Sequence, residues 1–77
     1  MTQTTVLDVK GLNCPQPLLK AKKALGDLPL GGRLEVHATD PGSVADFAAF
    51  CRKTGNVLVE QREDGGVHVS IIQRGPR

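Results

Sequence analysis

The 77-residue chain has no tryptophan and no tyrosine, and its aromatic content is two phenylalanines, Phe47 and Phe50. Both lie in a segment whose apolar spacing turns a helix inward, so no ring surface of the kind that stacks on single-stranded RNA is expected. Charge of one sign is scarce too: ten Lys and Arg against eight Asp and Glu leave a net +2. That balance does not by itself imply nucleic acid. Long hydrophobic runs are missing. The most apolar stretch, Val44 to Cys51, is short and broken by Asp46, which argues against a membrane span. Met1 to Thr5 lacks the basic and apolar segments of a signal peptide. Cys14 and Cys51, 37 positions apart, form neither a C-x-x-C pair nor a four-ligand zinc pattern. His37 and His68 fall on the polar alternation of their segments with no acidic partner at ligand spacing, so no metal centre, no catalytic triad and no cofactor are expected. A cytoplasmic setting with unpaired thiols follows.

A chain of this length makes a single domain, residues 1–77 with an ordered core about 5–73, burying about 60% of the surface its unfolded form exposes. Thr5 to Val9 alternates as a strand, with Leu7 and Val9 on one face. From Pro17 to Leu28, the residues Leu18, Ala21, Leu25 and Leu28 share a helical stripe. Arg33 to Thr39 returns to period two, with Leu34, Val36 and Ala38 inward. Asp40-Pro41-Gly42-Ser43 then turns into a second helix on which Val44, Phe47, Ala48 and Cys51 share a face. Ser43 with Asp46 forms a weak variant of a capping box, and Asp40 with Pro41 is the competing start. Gly55 supplies the stop. Val57 to Arg62 and Val67 to Gln73 form a hairpin around Asp64-Gly65-Gly66, and Arg74 to Arg77 reads as a tail.

This order, β-α-β-α-β-β, predicts an α/β (α+β) two-layer sandwich: a four-stranded mixed sheet with both helices on one face. If the first two strands are parallel, the loops after them lie at one edge and Cys14 neighbours the Asp40 to Ser43 turn. Val6, Leu58 and Ile72 are expected to face away from the helices as a small apolar patch. A monomer is expected.

Cys14 lies in Gly11-Leu12-Asn13-Cys14-Pro15-Gln16-Pro17, between the first strand and the first helix. Either it caps that helix or it sits in the loop before a helix beginning at Pro17, because a residue preceding proline avoids helical angles. Pro15 and Pro17 lack donors that a first turn leaves unused anyway. The orphan N–H groups and the dipole of a helix start favour a thiolate, lowering a cysteine pKa from about 8.5 to between about 3.5 and 7.5. Cys51, on the apolar stripe, is expected to be a buried small hydrophobe. Asp40 is placed near the thiol, either to receive a proton or hydrogen-bond a partner loop, or to cap the turn or the second helix. Lys10, Lys20, Lys22 and Lys23 gather around the first helix. They form either a solvated face or an electropositive rim that steers acidic partners, with Lys10, Lys20 and Lys23 as the candidate partner contacts.

The run around Cys14 resembles the Cys-Pro-x-Pro signature of the small sulfur carriers of the TusA (SirA-like) family. Asp40-Pro41-Gly42-Ser43, Asp46-Phe47 and Phe50-Cys51 resemble that family's second-helix region, so the match runs from about Thr5 to Ile72. Ala48 stands where the family commonly has proline. The resemblance implies a fold similar to the C-terminal domain of bacterial translation initiation factor three. It also implies that Cys14 accepts sulfane sulfur as a persulfide, with Pro15, Gln16, Pro17 and Asp40 shaping the site. The donor is then a cysteine desulfurase or a rhodanese-like sulfurtransferase, and the sulfur passes to an acceptor sulfurtransferase. Such relays feed tRNA thiolation, molybdenum cofactor synthesis or dissimilatory sulfur oxidation. With no second catalytic group in the motif, the protein reads as a stoichiometric carrier rather than a turnover enzyme. The competing class is a small basic module binding RNA or protein, with Cys14 structural.

Overall fold

The computed structural model describes residues 4–75. Six elements follow one another: β1 (Thr4–Asp8), α1 (Gln16–Gly26), β2 (Arg33–Ala38), α2 (Ser43–Thr54), β3 (Val57–Asp64) and β4 (Val67–Gln73). They build one sheet of order β1-β2-β4-β3. β1 is parallel to β2, and β4 runs antiparallel to both β2 and β3. Both helices pack on the same side, α1 over β2 and α2 over β3 and β4, and they touch each other. The expected two-layer architecture is therefore the observed one.

Burial follows the periodicities. β2 alternates without a break, with Leu34, Val36 and Ala38 fully buried beneath the helices. Pro17, Ala21 and Leu25 on α1 and Ser43, Phe47 and Cys51 on α2 repeat every four residues and face that strand layer. Phe47 is the largest fully buried side chain. α2 ends at Gly55, whose φ of +79° suits a residue without Cβ and lets its N–H reach the Cys51 carbonyl at 3.1 Å. The hairpin closes through Gly65 and Gly66 alone, at φ +57° and +85°, the geometry of a two-residue turn between twisted strands. Asp64 belongs to β3.

Three expectations need correction. Ile72 and Leu58 do not share the outer face with Val6. Ile72 is fully buried and Leu58 packs against the core, because Leu34 pairs with Ile72 and Ile72 with Leu58 across the sheet. The adjacent pair Ile71-Ile72 leaves two readings of β4, and an irregularity between Leu58 and Glu60 resets the alternation of β3. His68 is likewise on the helix side, opposite Ala38, whereas His37 is on the open face and bonds Glu35 at 2.6 Å. Finally, Arg74 and Gly75 are not a tail. The Arg74 N–H donates to the Gly32 carbonyl at 2.8 Å and its carbonyl accepts from Gly31 at 3.0 Å. Its guanidinium bonds the carbonyls of Gly26 and Leu28 just where α1 ends, satisfying acceptors a helix terminus leaves over. The remainder of the expected tail and the residues before Thr4 lie outside the described residues.

Candidate functional site

Parallel pairing of β1 and β2 brings the loops that follow them to one sheet edge. The first loop is tied to the second strand by Val9, whose N–H donates to the His37 carbonyl at 2.9 Å, and by Gly11, whose N–H donates to Thr39 Oγ1 at 2.9 Å. Gly11 takes φ +82°, a conformation that costs glycine little. The chain then reaches Asn13, whose carbonyl accepts the Gln16 N–H at 2.9 Å. The Cys14–Pro15 peptide between them is cis. Pro15 is the N-cap and Gln16 the first residue of α1, so Cys14 stands one residue ahead of the cap, between the two expected placements. Pro17 is buried and anchors the turn, while Cys14, Pro15 and Gln16 are exposed.

Asp40 joins the two loops. One carboxylate oxygen accepts the Cys14 N–H at 2.8 Å, and the other accepts the Gly42 N–H at 3.2 Å. The side chain thus closes its own turn and holds the backbone of Cys14. The capping box does not form. α2 starts after Gly42 with no side-chain cap, and the buried Ser43 Oγ has no hydrogen-bond partner. Asp46 points elsewhere: its Oδ2 accepts a hydrogen bond from Cys14 Sγ at 3.2 Å.

That contact overturns the expectation of a lowered thiol pKa. The Asp46 hydrogen bond first, then partial desolvation, then the charges of Asp46 and Asp40 push the Cys14 thiol above its ordinary value. The helix start offers little in return. Pro15 and Pro17 have no N–H, the Gln16 N–H is taken by Asn13, and the Leu19 N–H by Pro15. The two carboxylates, with Asp46 only 3.2 Å from the sulfur, outweigh the partial charge of this donor-poor helix start. Asp46 is thus the site residue that sequence reasoning missed. Its signal was present in its position in the first turn of α2, one turn beyond the Asp40 loop that parallel pairing had already put beside Cys14.

The lysines are dispersed. Lys10 lies 3.9 Å from Asp8 on the loop before the site. Lys20 and Lys23 line a shallow groove with Leu7, Ala24 and Asp27, between α1 and the edge strand. Cys51 is 4% exposed within the core, and burial pushes its thiol up. The two cysteines are free. Among the described residues, no group of three or more His, Cys, Asp or Glu side chains is arranged to hold a metal, and no helix is long and apolar enough to cross a membrane.

Comparison with known proteins matches residues 5–74 to a family described as sulfurtransferase TusA. The sulfur carrier protein TusA of Allochromatium vinosum is 53% identical over 68 residues, which cover 88% of this chain and 90% of that protein. A putative sulfur carrier protein of Bacillus subtilis is 44% identical over 75 residues, 97% of this chain and all of its own length. In three dimensions the chain is similar to a SirA-like protein from Desulfitobacterium hafniense, with a TM-score of 0.82 at 29% identity, covering 95% of this chain and 99% of the other.

Proposed function

This chain belongs to the TusA family of sulfur carriers, and on that footing we propose that Cys14 holds the transferred sulfur as a persulfide. The observation that supports the assignment is the contrast between its two thiols. Cys14 stands exposed on a loop braced by Asp40, whereas Cys51 is closed inside the core. A relay thiol must be reached by two protein partners in turn, and Cys14 has that access.

The chemistry is thiol exchange at a sulfane sulfur. In loading, the Cys14 thiolate attacks the outer sulfur of a donor persulfide; a new S–S bond forms, the donor's S–S bond breaks, and the electron pair leaves on the donor's inner sulfur. In delivery an acceptor thiolate attacks the outer sulfur on Cys14, which departs as thiolate and takes up a proton. Each encounter moves one sulfur, so the protein acts as a stoichiometric carrier. Its donor is a cysteine desulfurase or a rhodanese-like sulfurtransferase, its acceptor a further sulfurtransferase, and its setting a reducing cytoplasm where both thiols stay free. Routes to thiolated tRNA, to molybdenum cofactor or through sulfur oxidation differ in the partners, with the same step at Cys14. Pro15, Gln16 and Pro17 shape the loop around the sulfur, and Lys10, Lys20 and Lys23 contribute to docking.

The test is intact mass after incubation with a cysteine desulfurase and cysteine, and separately with a rhodanese and thiosulfate. A reductant-sensitive gain of one sulfur that persists in Cys51→Ser and disappears in Cys14→Ser is the expected result. No gain from either donor would sink the carrier role of Cys14.

A further inference from the structure

We propose that Asp46 is a further participant in the transfer: by accepting the hydrogen bond of the discharged Cys14 thiol, it favours the empty carrier over the loaded one and so drives sulfur onward to the acceptor. The inference rests on the reading that Cys14 carries the persulfide.

The geometry supplies the argument. Asp46 Oδ2 lies 3.2 Å from Cys14 Sγ. The carboxylate is held there by the helix: the Asp46 N–H donates to the Gly42 carbonyl at 3.1 Å, and the next residue, Phe47, is 1% exposed in the core. Asp40 is fixed beside the thiol by the N–H groups of Cys14 and Gly42. The charged groups bearing on Cys14 are these two carboxylates, one from α2 and one from the turn before it. From the start of α1 come Pro15 and Pro17 without N–H, a Gln16 N–H already bound to Asn13, and the uncharged Leu18 N–H.

This environment treats the two states of the carrier differently. In exchange with a small persulfide, carrier–SH and R–S–S⁻ become carrier–S–S⁻ and R–SH. One S–S bond breaks, one forms, and the proton of Cys14 ends on the departing thiol. Before exchange, the thiol donates to Asp46. Afterwards the inner sulfur has no proton, the hydrogen bond is gone, and the outer sulfur brings negative charge beside two carboxylates. Asp46 therefore stabilises the side without carried sulfur. The same arrangement keeps the free carrier's sulfur as thiol, the form that is not the nucleophile, and so restrains reaction away from a partner.

Two measurements on wild type, Asp46→Asn, Asp46→Ser and Asp46→Glu test this, with circular dichroism to establish that each variant is folded. In the first, the rate of Cys14 alkylation by iodoacetamide is followed against pH by peptide mass. The midpoint is expected to fall in the two neutral variants and to stay near wild type in Asp46→Glu. In the second, each protein is equilibrated with a fixed ratio of glutathione persulfide to glutathione, and the loaded fraction is read by intact mass. The ratio of loaded to empty carrier is expected to rise roughly two- to fivefold in the neutral variants, the scale of one exposed charge interaction. An unmoved alkylation midpoint, or a loaded ratio equal to or below wild type, would overturn the role of Asp46. If no variant and not even wild type takes up sulfur, it is the carrier reading that fails, whereas uptake with an unshifted ratio removes only Asp46.

Discussion

Replacing Gly75 with alanine should destabilise the protein although the position lies near the end of the described chain. A Cβ built there falls 2.0 Å from the Gly55 carbonyl oxygen and 2.9 Å from its carbon, far inside contact distance and against backbone that also terminates α2. The segment must lift away. Lifting Gly75 alone gives up its N–H bond to Asn56 Oδ1, a loss of about 1 kcal/mol. Lifting Arg74 with it breaks the pair of backbone bonds to Gly31 and Gly32 and frees the guanidinium from the end of α1. At about 1 kcal/mol for each of the five bonds, this sets a ceiling of about 5 kcal/mol. Detachment limits the damage to that range. A domain of this size has roughly 4–12 kcal/mol in total, so Gly75→Ala, which need not break every one of these bonds, should fold, with its urea midpoint lowered by a loss of about 1–5 kcal/mol and an unchanged slope. Arg74→Ala, which spares the backbone bonds, should lose less. A Gly75→Ala protein within about 0.5 kcal/mol of wild type, the range of an ordinary surface change, would refute the packing argument.

Asp40→Ala removes the acceptor of two loop N–H groups and should cost about 1–2 kcal/mol, as loss of a capping side chain does, while Asp40→Asn, which keeps one acceptor oxygen, should cost less; thermal melts compare them. Because burial raises the Cys51 thiol, folding stability from its neutral form is complete below the ordinary thiol value of about 8.5 and is lost as pH rises through the higher folded value. Urea midpoints measured from pH 8 to pH 11 should therefore decline less in Cys51→Ala than in wild type, and parallel declines would count against the burial argument. Charge reversal of Lys20 and Lys23 together should slow sulfur uptake from a protein donor in a salt-sensitive way but leave uptake from glutathione persulfide unchanged, as docking contacts require. Equal slowing with both donors would place those lysines in the chemistry instead.

The architecture was legible because its signals are local and agree with one another. Unbroken alternation from Arg33 to Ala38 marks the central strand, four-residue spacing of Ala21 with Leu25 and of Phe47 with Cys51 marks the helices, and Gly65-Gly66 marks the hairpin. One topological step, parallel pairing of the first two strands, was enough to put Asp40 beside Cys14. What escaped depends on distant geometry. The face taken by Ile72 is chosen by its pairing with Leu34, and β4 itself reads equally well in either phase. Arg74 closes a helix end 48 residues earlier, a relation with no local trace. Asp46 has the same look whether it caps its own helix or reaches across to the thiol, so the sign of the effect on Cys14 was hidden until both loops were placed.

The position of β4 also bears on how the chain is assembled during synthesis. It is the last of the four strands to be made, yet it lies between β2 and β3. Until Val67 to Gln73 has left the ribosome, no backbone pairing links the β1–β2 ribbon to β3, and the edges of β2 and β3 that it will occupy stay open. Before β4 emerges, strand pairing leaves the β1–β2 ribbon and β3 unjoined, and the loop that carries Cys14 is braced on a sheet that only β4 completes.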